Sequence, residues 1–419
     1  MLKDKKILLG VSGSIAIYKS IELLRRFTKA GAQVKVVMTP SAKRFITPLA
    51  FEAAGSEEVL DEHTESWHTR NNHIHVGEDY DIFVIAPATA NTINKLSNGI
   101  ADNLLLQTAL AFDKPKILAP SMNTKMYQNQ FTQASLKLLR LNGYQMVEPV
   151  TKELACGTEG VGAMAEVEDI FYMAAKALLQ DPFWMDRYAI VTGGGTIERI
   201  DDVRYISNFS SGKQACALAK ALYLKGAKVE LITTKECQEL PKEIELFKVE
   251  SAQQMKEYLD ERISVAKKGI LKKPDLINDL TQPQLVQKKP YLFMAAAVSD
   301  YRPKYPQKGK LKKEQIGDEW CLELVKNIDI LSSIDKEGIV TIGFKAEIDE
   351  KNALENAQKM LRAKNLDAVC LNLVKGPTTF GSDQNQIVFI TEDKAIKSPV
   401  KEKLELALDI TEIAKALDE

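Results

Sequence analysis

The chain opens on an apolar run without alternation, Lys6-Ile-Leu-Leu-Gly-Val, which predicts a strand buried on both faces. A tight turn, Gly-Val-Ser-Gly-Ser, follows. Ser14 then stands as an N-cap before Ile17, Ile21 and Leu24, whose i, i+4, i+7 spacing marks one helical face. Lys29 in the last turn and Gly31 at the C-cap position close that helix ahead of the strand Gln33-Val-Lys-Val-Val-Met-Thr39. This is a βαβ pattern, and it recurs at 188–234. There Tyr188-Ala-Ile-Val-Thr leads into Gly193-Gly194-Gly195, a helix through Ala217–Tyr223 ends at Gly226, and the strand Lys228-Val-Glu-Leu-Ile-Thr-Thr follows. Ala174–Gln180 reads as a terminal helix and Asp181-Pro182-Phe183-Trp184 as a linker, so domains of 1–182 and 187–419 are expected. Further buried strands are expected at 81–86, 116–120, 291–297, 339–344 and 367–372. Open α/β sheets bind ligands beyond the carboxyl ends of their strands, so candidate chemistry belongs there. Residues 266–290 read as an insertion without a site signature.

A chain of 419 residues fits two or three domains of about 150 residues each. Charge is balanced, with 56 Lys+Arg against 57 Asp+Glu, so no global field draws nucleic acid or an anionic membrane, and phosphate must be bound locally. No apolar stretch approaches a membrane span. The five cysteines are odd in number and widely spaced, which argues against a disulfide framework and for a cytoplasmic, reducing location. All four histidines fall between His63 and His75, an arrangement that invites a metal-cluster reading. His73 and His75 would share a face of an extended strand, but His63 and His68 stand at five-residue spacings and no Cys or acidic motif completes a ligand set.

Neither glycine turn fits a dinucleotide fingerprint: Ser12 and Ile15 stand where the first would need glycine, and Glu198 where the second would. The second strands end in Thr39 and in Thr233-Thr234 rather than in the carboxylate that binds an NAD ribose. Ser12, Ser14 and Thr39 instead offer hydroxyls beside a helix start, which suits a phosphomonoester such as that of FMN. Ser207-Asn-Phe-Ser-Ser-Gly-Lys213 is not a P-loop, yet Ser210, Ser211, Gly212 and Lys213 can form an anion nest feeding a helix.

Three ordered motifs in the first half carry a resemblance: His73-Ile-His-Val, Ala86-Pro-Ala88-Thr89-Ala-Asn91 with Pro120-Ser-Met-Asn123, and Ala155-Cys156-Gly-Thr158-Glu-Gly-Val-Gly-Ala-Met164. In the second half the carriers are Thr192-Gly-Gly194-Gly-Thr, the run from Asp202 to Lys213 with Asn208, Ala295-Ala296-Ala-Val-Ser-Asp300, Lys310-Leu-Lys-Lys and Asn327-Ile328-Asp329. The chain resembles the bifunctional phosphopantothenoylcysteine decarboxylase/phosphopantothenate–cysteine ligases of coenzyme A biosynthesis over nearly its whole length. The resemblance implies an α/β fold of two Rossmann-like domains, a flavodoxin-like flavoprotein domain and a doubly wound nucleotide-binding ligase domain.

For the first domain it implies FMN, held around Ser12, Ser14, Thr39, Ala88, Thr89 and Asn91. His73, thirteen residues before Ala86, would assist oxidation of the substrate thiol, Asn123 would hold the substrate carboxylate, and Cys156 would return a proton. The chemistry needs these parts, because a carboxylate on a saturated carbon has no electron sink until the thiol is oxidised. For the ligase it implies CTP, 4′-phosphopantothenate and cysteine as substrates. Gly194, Met294, Ala295 and Ala296, the segment Ile328, Asp329, Ile330 and Leu331, and Phe344 and Lys364 would lie around the nucleotide. Asn208 would touch the acyl-cytidylate, Lys310 a phosphate, and Asp300 a Mg²⁺ ion on the triphosphate. Five lysines in ten residues, Lys304–Lys313, then read as a phosphate-covering flap. Trimers of the decarboxylase half and dimers of the ligase half, together a dodecamer, are implied as well. Thr158 stands where the family has Asp, and Met360 where it has a nucleotide-binding Lys. A non-catalytic flavin-binding protein of the same fold is the competing reading.

Overall fold

The computed structural model describes residues 1–153, 159–272, 282–312, 317–373 and 381–418. The chain divides into one compact unit built on Met1–Leu179 and another on Gln180–Lys272 and Gln284–Glu419.

The first unit is a parallel sheet of β1 (Lys6–Val11), β2 (Gln33–Met38), β3 (Ile82–Ala88), β4 (Lys116–Pro120) and β5 (Tyr144–Met146), in the order β2-β1-β3-β4-β5. Every residue of β3 is buried, which is why its sequence shows a continuous apolar run rather than alternation. The first helix starts as a short 3-10 turn capped by Ser14, whose hydroxyl accepts from the Ala16 amide, and continues as Tyr18–Lys29. Its buried face is Ile17, Ser20, Leu23, Leu24 and Phe27, while Ile21 is only half-buried, so the stripe lies slightly around the helix from the expected one. A hairpin of β6 (Val150–Glu153) and β7 (Glu159–Ala163) precedes the helix Val167–Leu179.

In the second unit β8 (Tyr188–Gly193), the β9–β10 ribbon (Glu198–Arg199, Tyr205–Ile206), β11 (Lys228–Thr233) and β12 (Glu245–Lys248) come first. The ribbon β13–β14 (Ile270–Lys272, Gln284–Val286), β15 (Tyr291–Met294), the ribbon β16–β17 (Tyr301–Pro303, Leu324–Lys326), β18 (Val340–Glu347) and β19 (Ala368–Leu373) follow. The main sheet runs β12-β11-β8-β15-β18-β19 in parallel and ends in two antiparallel strands, β21 (Ile387–Ile390) and β22 (Ala395–Lys397), with β20 (Gln384–Asn385) outside it.

Two expectations change. Asp181–Trp184 is no linker: the Trp184 side chain is fully buried in the second unit, its indole N–H donates to the Thr411 carbonyl at 3.2 Å, and its ring lies 4.8 Å from that of Tyr291. The turn signalled by Asp-Pro is formed at 182–186, but burying an aromatic of this size makes it part of the core. Nor are the cysteines all isolated. Cys216, in the first turn of the helix Lys213–Leu224, is bonded to Cys237 beyond the end of β11, with 5.7 Å between their Cα atoms. The helix start and the strand end are neighbours in the fold, which a separation of 21 residues in sequence conceals. Cys321 is free and exposed, Cys370 is free and buried, and Cys156 lies outside the described residues. Among the described residues no helix is long and apolar enough to cross a membrane.

Candidate functional site

At the carboxyl ends of β1, β3 and β4 the first unit opens a cavity of about 900 Å³. Ser12, Ser14, Thr39, Thr89, Asn91 and Asn123 all line it. The strand ends set them there, and local hydrogen bonds fix their rotamers. The Ser12 hydroxyl donates to the Pro87 carbonyl at 2.7 Å and accepts from the Thr89 amide at 3.0 Å, clipping β1 to β3. Its proton is thereby committed, which makes Ser12 a builder of the cavity floor. Ser14 shares a 2.9 Å hydrogen bond with Ser121, Thr39 accepts from the Ala42 amide at 3.3 Å, and Thr89 caps the helix Ala90–Ser97. Asn123 caps the helix Thr124–Gln128 through its side-chain oxygen, which accepts from the Lys125 amide at 2.9 Å.

Ala88 departs from expectation: it is fully buried, and only its backbone carbonyl acts, accepting from the Ser121 amide at 2.9 Å. His73 is not among the described residues that line the cavity. It is about one-quarter exposed, 2.8 Å from a Glu65 carboxylate oxygen through Nδ1, and edge-on to Trp67 with 5.5 Å between ring centroids. A carboxylate can only accept, so Nδ1 is the donor in this contact, and Nε2 is the ring nitrogen left for a substrate proton. His75 begins the short helix His75–Asp79, within hydrogen-bond distance of Asn72, and so shares no extended strand with His73. Among the described residues no group of three or more His, Cys, Asp and Glu side chains is arranged to hold a metal ion. Motif reading missed Ser41, Lys19, Lys95 and Lys152, which also line the cavity. Ser41 lies two residues beyond Thr39 and Lys19 five beyond Ser14, so only proximity to the motif pointed to them.

The second unit presents two small adjacent cavities that share Ala296 and Phe344. One, of about 200 Å³, is lined by Met294, Asp300, Ile328–Leu331 and Lys364, with Met360 beside them. Asp329 caps the helix Ile330–Ser333 and pairs with Lys364 at 3.0 Å. Burial pushes its carboxyl up, but the bonds from Lys364 and from the Ser332 hydroxyl and amide outweigh this and hold it below the ordinary carboxylate range. The other cavity, of about 160 Å³, is lined by Ser211, Gly212, Lys213 and Ala295 at the start of the helix Lys213–Leu224. Gly212 has φ +73° as the N-cap, a left-handed conformation that suits glycine. Lys213 points to the Gly381 carbonyl at 2.8 Å and to Asp383 at 2.6 Å.

Gly194, Asn208 and Lys310 are not among the described residues lining either cavity. Gly194 serves as close-packed backbone: a Cβ there would lie 2.2 Å from the Thr234 hydroxyl. Asn208 is exposed and donates to the Val298 carbonyl at 3.0 Å. Lys310 is exposed on a loop hung from the Asp201–Arg204 turn: the Gly309 amide donates to Asp202 at 2.8 Å, the Leu311 amide to Asp201 at 3.2 Å, and Arg204 to the Leu311 carbonyl at 2.7 Å. The described part of the lysine run is thus tethered at a fixed point rather than free.

These sites sit on two recognisable modules. Residues 1–179 match the Flavoprotein family, and residues 184–272 and 277–417 match the DNA/pantothenate metabolism flavoprotein C-terminal domain. The "Coenzyme A biosynthesis bifunctional protein CoaBC" of Haemophilus influenzae is 36% identical over 416 residues, covering 98% of this chain and 96% of that protein. The chain belongs to the CoaBC family. The Bacillus subtilis and Escherichia coli CoaBC proteins are 35% and 34% identical, each covering 100% of this chain and 98% of their own length. As a CoaBC protein the chain is a bifunctional enzyme of coenzyme A biosynthesis, with a decarboxylase half of flavoprotein fold and a phosphopantothenate–cysteine ligase half. A non-catalytic flavin binder finds no support beside two complete modules.

Proposed function

We propose that the ligase half joins 4′-phosphopantothenate to cysteine at the expense of CTP and that the decarboxylase half, using FMN, converts the product to 4′-phosphopantetheine. The observation that carries this reading is the 900 Å³ cavity, whose walls gather Ser14, Thr39, Thr89, Asn91 and Asn123 in one place. Its hydroxyls and helix starts suit a phosphomonoester, and its size suits a flavin with a substrate arm beside it. Bound FMN would take two electrons from the thiol-bearing carbon, so that the carboxylate on its neighbour can leave as CO₂, and would return them to the resulting enethiol, so the flavin ends unchanged. Asn123, already fixed by its capping bond, holds the substrate carboxylate as a neutral amide and so does not over-stabilise the group that must leave. His73, its Nδ1 proton fixed by Glu65, accepts the thiol proton at Nε2. Cys156 donates the final proton. A second copy of the unit brings His73 to the cavity, in keeping with the trimer expected of the decarboxylase half, the ligase halves pairing as dimers.

In the ligase half the nucleoside of CTP occupies the cavity of Ile328–Leu331 and Phe344, and its phosphates run toward Ser211–Lys213. A free carboxylate is a poor electrophile, so its transfer to CMP with loss of pyrophosphate precedes attack by the cysteine amine. Asp300 is exposed and offers one carboxylate, which fits a Mg²⁺ ion carried chiefly by the triphosphate. Lys310 on its tethered loop reaches a phosphate, and Asn208 contacts the acyl-cytidylate. Both steps use small cytoplasmic metabolites, and we place the enzyme in that compartment. Mass analysis of products from 4′-phosphopantothenate, cysteine, CTP and Mg²⁺ tests the reading. Phosphopantetheine, CMP and pyrophosphate are expected in equal amounts; phosphopantothenate recovered unchanged refutes it.

A further inference from the structure

Phosphopantothenoylcysteine is anionic at both ends, and Asn123 answers only the carboxylate at the reacting carbon. The phosphate at the far end of the arm requires a cation. The described cavity walls offer Lys19, Lys95 and Lys152. Lys95 is paired with Asp102, which lines the same wall. Lys19 is mostly buried, at 12% exposure, and its ammonium is saturated by the Met164 carbonyl at 3.3 Å, the Ala165 carbonyl at 3.5 Å and Glu166 at 3.1 Å.

Lys152 differs. It stands on β6 at 52% exposure, and its ammonium pairs with the second oxygen of that same Glu166. One carboxylate is thus shared between two ammonium groups, and the trio carries a net charge of +1 at the cavity wall. The bond to Glu166 raises the Lys152 ammonium above its ordinary value, so it remains a cation. An incoming phosphate dianion can take the place of Glu166 on Lys152 without leaving a charge unpaired, because Lys19 still holds Glu166. The exchange sets a dianion on the cation in place of a monoanion, which favours it.

We propose that Lys152 is the residue that recognises the 4′-phosphate of the decarboxylase substrate, with Glu166 as its counter-ion in the free enzyme. The proposal rests on the decarboxylase reading above. The test compares phosphopantothenoylcysteine with pantothenoylcysteine as substrates of the full-length flavin-loaded enzyme and its variants. Lys152→Met should raise KM for the phosphorylated substrate by about tenfold or more with kcat little changed, and leave KM for the unphosphorylated one alone. Lys152→Arg should restore most of the preference, and Glu166→Gln, by removing the competitor, should lower KM for the phosphorylated substrate. Equilibrium titration with 4′-phosphopantetheine against pantetheine should show the same selective loss without turnover. Equal losses on both substrates would assign Lys152 a structural role and overturn the proposal, as would no loss on either. Wild-type enzyme that turns over neither substrate would instead bring down the decarboxylase reading, and this proposal with it.

Discussion

Gly162 has φ +136°, and a Cβ there would lie 2.3 Å from the Met122 carbonyl oxygen. Its own carbonyl accepts from the Met122 amide at 2.9 Å, so β7 is pressed against the segment that carries Asn123. The close approach is what demands glycine here, a reason that the spacing of the motif does not reveal. Gly162→Ala should therefore push Asn123 and its neighbours out of place and lower flavin content, read as the ratio of flavin to protein absorbance; full occupancy would contradict it. A second residue-scale expectation concerns Asp329. Its folded pKa is depressed below the ordinary 3.8, so its contribution to stability is complete above that value and disappears as pH falls through the depressed one. The stability deficit of Asp329→Asn, measured by urea unfolding, should accordingly shrink on acidification below about pH 4. A deficit that stays constant across that range would show that Lys364 and Ser332 do not set the charge.

Among elements, the Cys216–Cys237 bond joins the start of the helix that follows Ser211 and Gly212 to the loop following β11. That loop also supports the glycine turn, with the Thr234 hydroxyl donating to the Gly195 carbonyl at 2.7 Å. Closing a loop of this length removes roughly 3 kcal/mol of unfolded-state entropy. Dithiothreitol, or Cys237→Ser, should destabilise the second unit by about that amount in denaturant unfolding, and an unchanged midpoint under reduction would show that the bond contributes nothing. The central parallel strands were legible in sequence because both faces are covered: Tyr291–Met294 and Ala368–Cys370 are buried without exception and read as plain apolar runs, whereas the parallel edge strands Tyr144–Met146 and Glu245–Lys248 are partly exposed and were not expected. The antiparallel edge was not, since Ala395–Lys397 is exposed throughout and carries no apolar signal. The site divided in the same way. Asn123 and Asp329 sit in local motifs at strand or helix ends, whereas Lys19 and Lys152 meet only through Glu166, and no sequence spacing encodes that meeting.

At the scale of the molecule, the residues assigned to the two reactions fall in separate compact units: His73 and Asn123 in the first, Asp300, Asp329 and Lys310 in the second. Each unit has its own apolar core, one around Leu8, Phe83 and Leu118 and one around Ile190, Leu292 and Leu331, so damage to one active site need not reach the other. His73→Asn should then abolish CO₂ release while CTP-dependent pyrophosphate release continues at the wild-type rate. Lys310→Ala should do the reverse, slowing pyrophosphate release by about a hundredfold, as expected for the loss of a charged contact to a reacting phosphate, while decarboxylation of supplied phosphopantothenoylcysteine persists. The intermediate is a small, stable amide that can leave one enzyme molecule and enter another. An equimolar mixture of the two variants, each purified as its own assembly, should therefore convert 4′-phosphopantothenate to 4′-phosphopantetheine, after a lag while free intermediate accumulates. Mass spectrometry over time reads both the lag and the product. If each variant keeps its single activity but the mixture yields no phosphopantetheine, the intermediate does not pass through solution and the two sites are not independent.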